Sequence, residues 1–154
     1  MACLLYFLVA DPQKALAESR RVLKTNGVMA CSSWARTEWI EVMVAASHAT
    51  RPDLAKAREL DGFPAAWKSV EGVKAMLEDA GFKDVEARYV DTFMPVDDAR
   101  DLFRFFIAFK QPWVEAMYQG FSEDDLRRFE EEFVGLVGQK DRLVGVAVVA
   151  VARK

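Results

Sequence analysis

The sequence predicts an α/β fold, a short mixed sheet with helices on both faces, and three observations carry that prediction. The chain opens and closes on apolar runs of strand length, Ala2 to Ala10 and Leu143 to Ala152. Between them, stretches with the three-to-four spacing of a buried helix face alternate with two further strand-like stretches. Capping and breaking residues fall at the joints: Asp11-Pro12, Asn26-Gly27, Ser69, Gly81, Pro95 and Ser122. Helices placed between strands imply layers of helix on sheet.

Taken in order, Ala2 to Ala10 reads as a strand buried on both faces. Asp11 then caps a helix whose first turn holds Pro12. Its inward stripe is Ala15, Leu16, Ser19, Val22 and Leu23, and Asn26-Gly27 supplies the left-handed stop. "GVMACSSW" is a second buried strand, so the first 35 residues form a βαβ unit with parallel strands. An amphipathic helix covers about Glu38 to His48, followed by an irregular segment from Arg51 to Pro64. Ser69 opens the next helix, with Val70, Val73, Met76 and Leu77 on one face and Gly81 at its end. "KDVEARYVDTFMPV" alternates as a strand with one covered face. Asp97 begins an aromatic helix that Pro112 breaks, and Ser122 caps the helix after it. The last strand, almost free of polar residues, can pair antiparallel with its predecessor.

Composition narrows the function classes. The 154 residues are one domain's length, 52% hydrophobic, with a formal charge of −3. An acidic chain without a basic stripe is a poor nucleic-acid binder, and no nucleic-acid partner is expected. Cys3 and Cys31 sit in apolar runs and read as reduced, buried thiols. His48 is the single histidine, so no metal site is expected. The apolar N-terminus lacks a positive region and is too short to span a bilayer, which makes a cytoplasmic protein with no membrane span the expectation.

One stretch carries a family likeness. "DPQKALAESRRVLKTNGVMACSSW" resembles the region around the fourth and fifth strands of class I S-adenosylmethionine-dependent methyltransferases, where a helix bearing "RVLKPGG" leads into the fifth strand. "WKSVEGVKAMLEDAGFKDVEARYV" is similar to the helix and sixth strand that follow. The resemblance makes Val144 to Arg153 the seventh strand, inserted antiparallel between the fifth and sixth. It therefore implies a partial Rossmann-like methyltransferase sheet with a helical lid. Residues 1–154 form a single truncated domain on this reading: the βαβ unit (1–35), lid or insertion helices (36–68 and 97–138), and the C-terminal helix and strands (69–96 and 139–154). Thr25-Asn26 replaces the usual Pro-Gly. The family's glycine-rich loop has no counterpart, since no Gly-x-Gly occurs. The likeness is to the C-terminal half.

Ligands in such sheets bind beyond the carboxyl ends of parallel strands. Those ends are Asp11 and Ser32-Ser33-Trp34. Asp11 is a candidate for orienting a substrate, beside its simpler role as a helix cap. His48 is the candidate general base, its free pKa lying near neutrality, beside a simpler role at a helix end. Trp34, Trp39, Phe63, Trp67, Phe93, Phe103, Phe105, Phe106, Phe109, Trp113, Met117, Tyr118 and Phe121 crowd the regions the resemblance assigns to the lid. Ser33, Trp34, Trp39, Trp67, Phe103, Phe106, Trp113, Met117 and Tyr118 are the substrate-binding candidates, for a hydrophobic small molecule of secondary metabolism. The alternative for each aromatic is ordinary core packing. The ligand is expected between Ser33-Trp34 and the helix from Phe103 to Tyr118.

Three function classes stay open. The first is a methyltransferase-family protein that binds S-adenosylmethionine weakly or not at all by itself. The second is a cofactor-independent cyclase or isomerase reusing the substrate pocket. The third is a non-catalytic partner. The unpaired Ala2 to Ala10 edge predicts a homodimer, or a partner protein covering it.

Overall fold

A computed structural model describes residues 1–55, 64–110 and 112–154, apart from the side chains of Cys3 and Ala55. The chain divides into two compact units. The first comprises Met1–Arg36, Phe63–Thr92 and Gly145–Lys154, and the second Thr37–Gly62 and Phe93–Val144. Four strands, β1 (Ala2–Cys3), β2 (Val28–Thr37), β3 (Lys83–Pro95) and β4 (Arg142–Arg153), form one sheet in the order β1-β2-β4-β3. The last strand is thus inserted between β2 and β3, as expected.

β1 and β2 are parallel, with Ala2 opposite Cys31 and Cys3 opposite Ser32. The other pairings are antiparallel. At the β2–β4 boundary, the Lys154 amide donates to the Gly27 carbonyl (3.0 Å), joining the end of one strand to the start of the other. β4 and β3 are tied near opposite termini by Arg153–Asp84 (3.7 Å) and by the Val96 amide on the Asp141 carbonyl (2.9 Å).

The first unit also holds α1 (Pro12–Val22), α4 (Val70–Asp79) and two 3-10 turns, Tyr6–Leu8 and Ala65–Trp67. Both helices lie against one face of the sheet. Leu16 from α1 and Val73 and Leu77 from α4 join Met29, Cys31, Val148, Ala150 and Ala152 in a single apolar cluster. Capping follows the sequence. The Asp11 carboxylate accepts from the Lys14 amide (2.9 Å), and the Ser69 hydroxyl accepts from the Gly72 amide (3.0 Å). Lys154 closes the other end of α1, its Nζ donating to the Arg21 (3.1 Å) and Leu23 (2.7 Å) carbonyls.

Three expectations need correction here. Ala2 to Ala10 is not a nine-residue strand: pairing stops after Cys3, Leu4 turns to φ +52°, and Tyr6–Leu8 coils into a 3-10 turn. A strand would send adjacent side chains to opposite faces, whereas the turn buries both Tyr6 and Phe7 and leaves Leu5 and Leu8 outside. The edge beside β1 is therefore short, and a dimer built on a long apolar N-terminal edge loses its premise. Val22, placed on the inward stripe of α1, is 65% exposed, while Leu23 beside it is the residue that packs on the cluster. Finally, β4 is not uniformly buried; Val148, Ala150 and Ala152 are covered while Val151 stays exposed. A continuous apolar run conceals that alternation.

The second unit is helical: α2 (Glu38–Thr50), α3 (Pro52–Ala55), α5 (Ala99–Ala108), α6 (Pro112–Tyr118) and α7 (Glu123–Val137). Its interior is a set of phenylalanine rings. Phe103 meets Phe129 edge-on (5.0 Å, 88°), and Phe133 lies 5.5 Å from Phe103 and 6.3 Å from Phe106. Ser122 and Asp125 form a full capping box at the start of α7. Arg51, just beyond α2, holds Asp53 (2.7 Å) and Asp125 (3.1 Å). Glu38 reaches the Val144 amide (2.7 Å) and Lys140. Among the described residues, no helix is long and apolar enough to cross a membrane.

Two predictions follow from this packing. An alanine usually gains about 1 kcal/mol over glycine inside a helix, but a Cβ at Gly72 would overlap the Ala66 carbonyl oxygen, a backbone atom. Gly72→Ala is therefore expected to lower stability by about 1–3 kcal/mol, read by urea unfolding. The second concerns Asp125. Hydrogen bonds from the Ser122 amide and hydroxyl, and then the Arg51 guanidinium, hold its carboxyl below the ordinary aspartate range. A depressed folded-state pKa means that its stabilisation is present above the unfolded value and is lost as pH falls through the folded one. Asp125→Asn should reduce the urea midpoint at neutral pH and flatten its fall in acid.

Candidate functional site

The sequence-predicted residues fall into the two units. In the first, Asp11 is an exposed cap whose carboxylate is engaged by the α1 backbone. Ser33 is buried, and its hydroxyl donates to the Trp67 carbonyl at 2.5 Å, so it joins β2 to the 3-10 turn. Trp67 is 1% exposed and stacks on Tyr6 (5.9 Å, 15°). Trp34 is half-buried and packs against the same cluster. β2 runs on to Thr37, so Ser32, Ser33 and Trp34 lie within the strand rather than at its expected carboxyl end, and Ser33 there serves to hold Trp67.

In the second unit, Trp39, Phe103, Phe106 and Met117 are buried, and Trp113 and Tyr118 are half-buried. The outward aromatics are Phe93, Phe105 and Phe109, the last two stacked at 5.6 Å. Phe121 touches Phe129 (5.7 Å), and Phe63 lies outside the described residues. Most of the substrate-binding candidates therefore serve as the interior of their own unit. Their number made a ligand wall plausible from sequence, while burial is a property of the folded helices.

His48 stands apart. It lies in the last turn of α2, and the Ser47 beside it donates its hydroxyl to the Met117 carbonyl (2.5 Å), fixing that turn against α6. Thr50 returns its hydroxyl to the Ala46 carbonyl (2.9 Å). The imidazole Nε2 of His48 is buried yet finds no hydrogen-bond partner among the described residues. Buried polar atoms without partners are rare in folded chains. On α6, Tyr118 follows Met117; burial first, and then the Glu115 charge, pushes its phenol above the usual value. The last turn of α2 thus meets α6 through Ser47 and Met117, and His48 and Tyr118 are the next residues along the chain from that bond. Sequence reading found His48 by its uniqueness, but the Ser47 anchor beside it carried no sequence signal.

The strand order and the sequence are those of a class I methyltransferase-like fold. It is 36% identical over 124 residues to the methyltransferase ucsB of an Acremonium species, a match covering 80% of this chain and 41% of that protein. The chain thus spans about two fifths of that relative's length. A solved structure from Bacillus halodurans C-125, described as a candidate methyltransferase, aligns with 99% of this chain and 62% of its own, at a TM-score of 0.48 and 18% identity. No family model matches the chain.

The family implies S-adenosylmethionine, so the glycines are the place to test fit, since a cofactor pressed against backbone needs positions without a Cβ. Those in close quarters face the chain itself. A Cβ at Gly72 would meet the Ala66 carbonyl, one at Gly27 the Lys24 carbonyl (2.8 Å), and one at Gly81 the Arg20 side chain (3.3 Å). Among the described residues, none of these opens beyond the carboxyl end of a parallel strand. These three glycines serve the chain's own packing and do not fit a cofactor cradle.

His48→Phe keeps the bulk of the ring and removes the unpartnered nitrogen, whose burial costs about 1–3 kcal/mol. The variant is expected to unfold in urea at or above the wild-type midpoint. A clear loss of stability would show that Nε2 has a partner in the folded protein.

Proposed function

We propose that this chain is the substrate-side part of a Rossmann-like, methyltransferase-family enzyme acting on a hydrophobic small molecule of secondary metabolism. The single observation carrying the reading is the 36% identity to a methyltransferase over 124 residues. The substrate class rests on the aromatic supply of the helical unit, whose Trp113 and Tyr118 are only half-buried. Flat apolar side chains bind an apolar ligand by burial, worth about 25 cal/mol per Å² removed from water. His48 is the group proposed to take a proton from the accepting hydroxyl or acid. Asp11, held as a helix cap, is the weaker candidate for that role.

A second reading, a cofactor-independent cyclase or isomerase, is favoured by one observation: the close-packed glycines serve chain packing rather than a cofactor. It would use confinement and His48 alone.

Metabolite profiling separates the two. Deleting the gene should cause an apolar metabolite to accumulate that is one methyl group lighter than the normal product. Accumulation of an isomer of unchanged mass would overturn the methyltransferase reading and favour the second. For the isolated chain, calorimetric titration with S-adenosylmethionine is expected to show no micromolar binding. Micromolar affinity would refute the assignment of this chain to the substrate side.

A further inference from the structure

β3 ends the sheet, so one of its long sides has no strand beside it among the described residues. Such an edge is a template for pairing, which natural chains discourage with charge, proline or distortion. β3 has no proline between Lys83 and Asp91, and its one left-handed residue there, Asp84 (φ +49°), stands at its start. It does carry charge, in a particular order: Lys83, Glu86, Arg88 and Asp91, all exposed. Asp84 is engaged by Arg153 (3.7 Å). The other four make no ion pair or side-chain hydrogen bond with described residues.

The two faces of the strand are fixed by their neighbours. Val85 and Ala87 pack on the apolar cluster. The Tyr89 hydroxyl accepts from the Val70 amide at the start of α4 (3.4 Å). Val85, Ala87 and Tyr89 therefore share the face covered by α4, and Glu86 and Arg88 share the opposite one.

We infer that this edge is a homodimer interface, with β3 of a second copy pairing antiparallel about a two-fold axis at Ala87. In a two-fold contact, if residue i meets residue j then j meets i. With the axis at Ala87, Glu86 lies opposite Arg88 and Val85 opposite Tyr89, every pair occurring twice; beyond the left-handed backbone at Asp84 (φ +49°), Lys83 lies at the level of Asp91. Residues directly opposite in an antiparallel ladder project to the same face, and each of these pairs satisfies that. The charge order read backwards is its own complement, which is why a second copy, rather than an unrelated strand, is the partner it fits. Neighbouring registers fail. An axis at Glu86 sets that carboxylate against itself, and an axis at Arg88 sets two guanidinium groups together; like charges directly opposite destabilise a ladder. The interface continues the sheet by strand addition, leaves α4 of both copies on one side, and is independent of the enzymatic reading.

Sedimentation velocity of the full chain over a dilution series tests this. The expected species has twice the 17.4 kDa chain mass. Arg88→Glu places a carboxylate opposite Glu86 and should raise the dimer Kd by about tenfold or more. The double exchange Glu86→Arg with Arg88→Glu restores the complement and should recover most of the affinity. Circular dichroism confirms that each variant is folded. A chain monomeric at every concentration overturns the inference. So does a dimer indifferent to Arg88→Glu, which would be seated on another surface or held by another partner.

Discussion

Trp67 is the constraint around which the first unit is organised. Its ring stacks on Tyr6, and its carbonyl receives the Ser33 hydroxyl from the middle of β2. Tyr6 in turn donates its one phenolic proton to Ser19 of α1 (2.8 Å), because Ser19 has already given its own to the Ala15 carbonyl (2.9 Å). The Met29 sulfur sits 3.3 Å from the same phenol oxygen. One tryptophan thereby fixes the N-terminal turn, α1, β2 and the turn that launches α4. Gly72 completes the arrangement by letting α4 start directly against Ala66. Buried hydroxyls without partners would be costly, so this geometry tolerates little variation.

That constraint explains which parts of the fold were legible in the sequence. Local chemistry was. Asp11, Ser69 and Ser122 each cap the helix they announce, Pro112 starts a new helix after a break, and Gly81 takes φ +84° at the turn into β3. The order of the sheet was legible through the family likeness, and the observed β1-β2-β4-β3 order agrees with it. What failed was the first apolar run. Its composition is equally that of a strand and of a tight turn with two buried rings, and the choice is made by Trp67, some sixty residues along the chain. No local pattern near Tyr6 encodes that partner.

The candidate site shows the same division. The sequence identified the aromatic residues but not their direction. Phe103 and Phe106 face Phe129 and Phe133 inside the helical unit, while their neighbours Phe105 and Phe109 face outward. A helix with so many phenylalanines has apolar residues on both faces, and periodicity alone cannot say which face a partner helix covers. His48 was legible as the single histidine, yet its distinguishing feature, a buried nitrogen without a partner among the described residues, exists only once α2 is docked.

Phenylalanine rings pack in many geometries at similar energy, so an interior built from them does not by itself specify one arrangement of helices. In the second unit that specification comes from polar ties between distant parts of the chain. Glu38 grips the backbone at Val144, Ser47 the carbonyl of Met117, and Arg51 the capping carboxylate of Asp125. Each is directional, and two of them end on backbone atoms that no side-chain rotation can withdraw. All three lie at or beside α2, at its first turn, its last turn and its C-cap. α2 is therefore pinned at both ends against the segments that surround it, and the rings fill the space that remains. Against that background, in which Ser47 and Thr50 both find backbone partners, the Nε2 of His48, buried without a partner among the described residues, is an exception within the same helical turn.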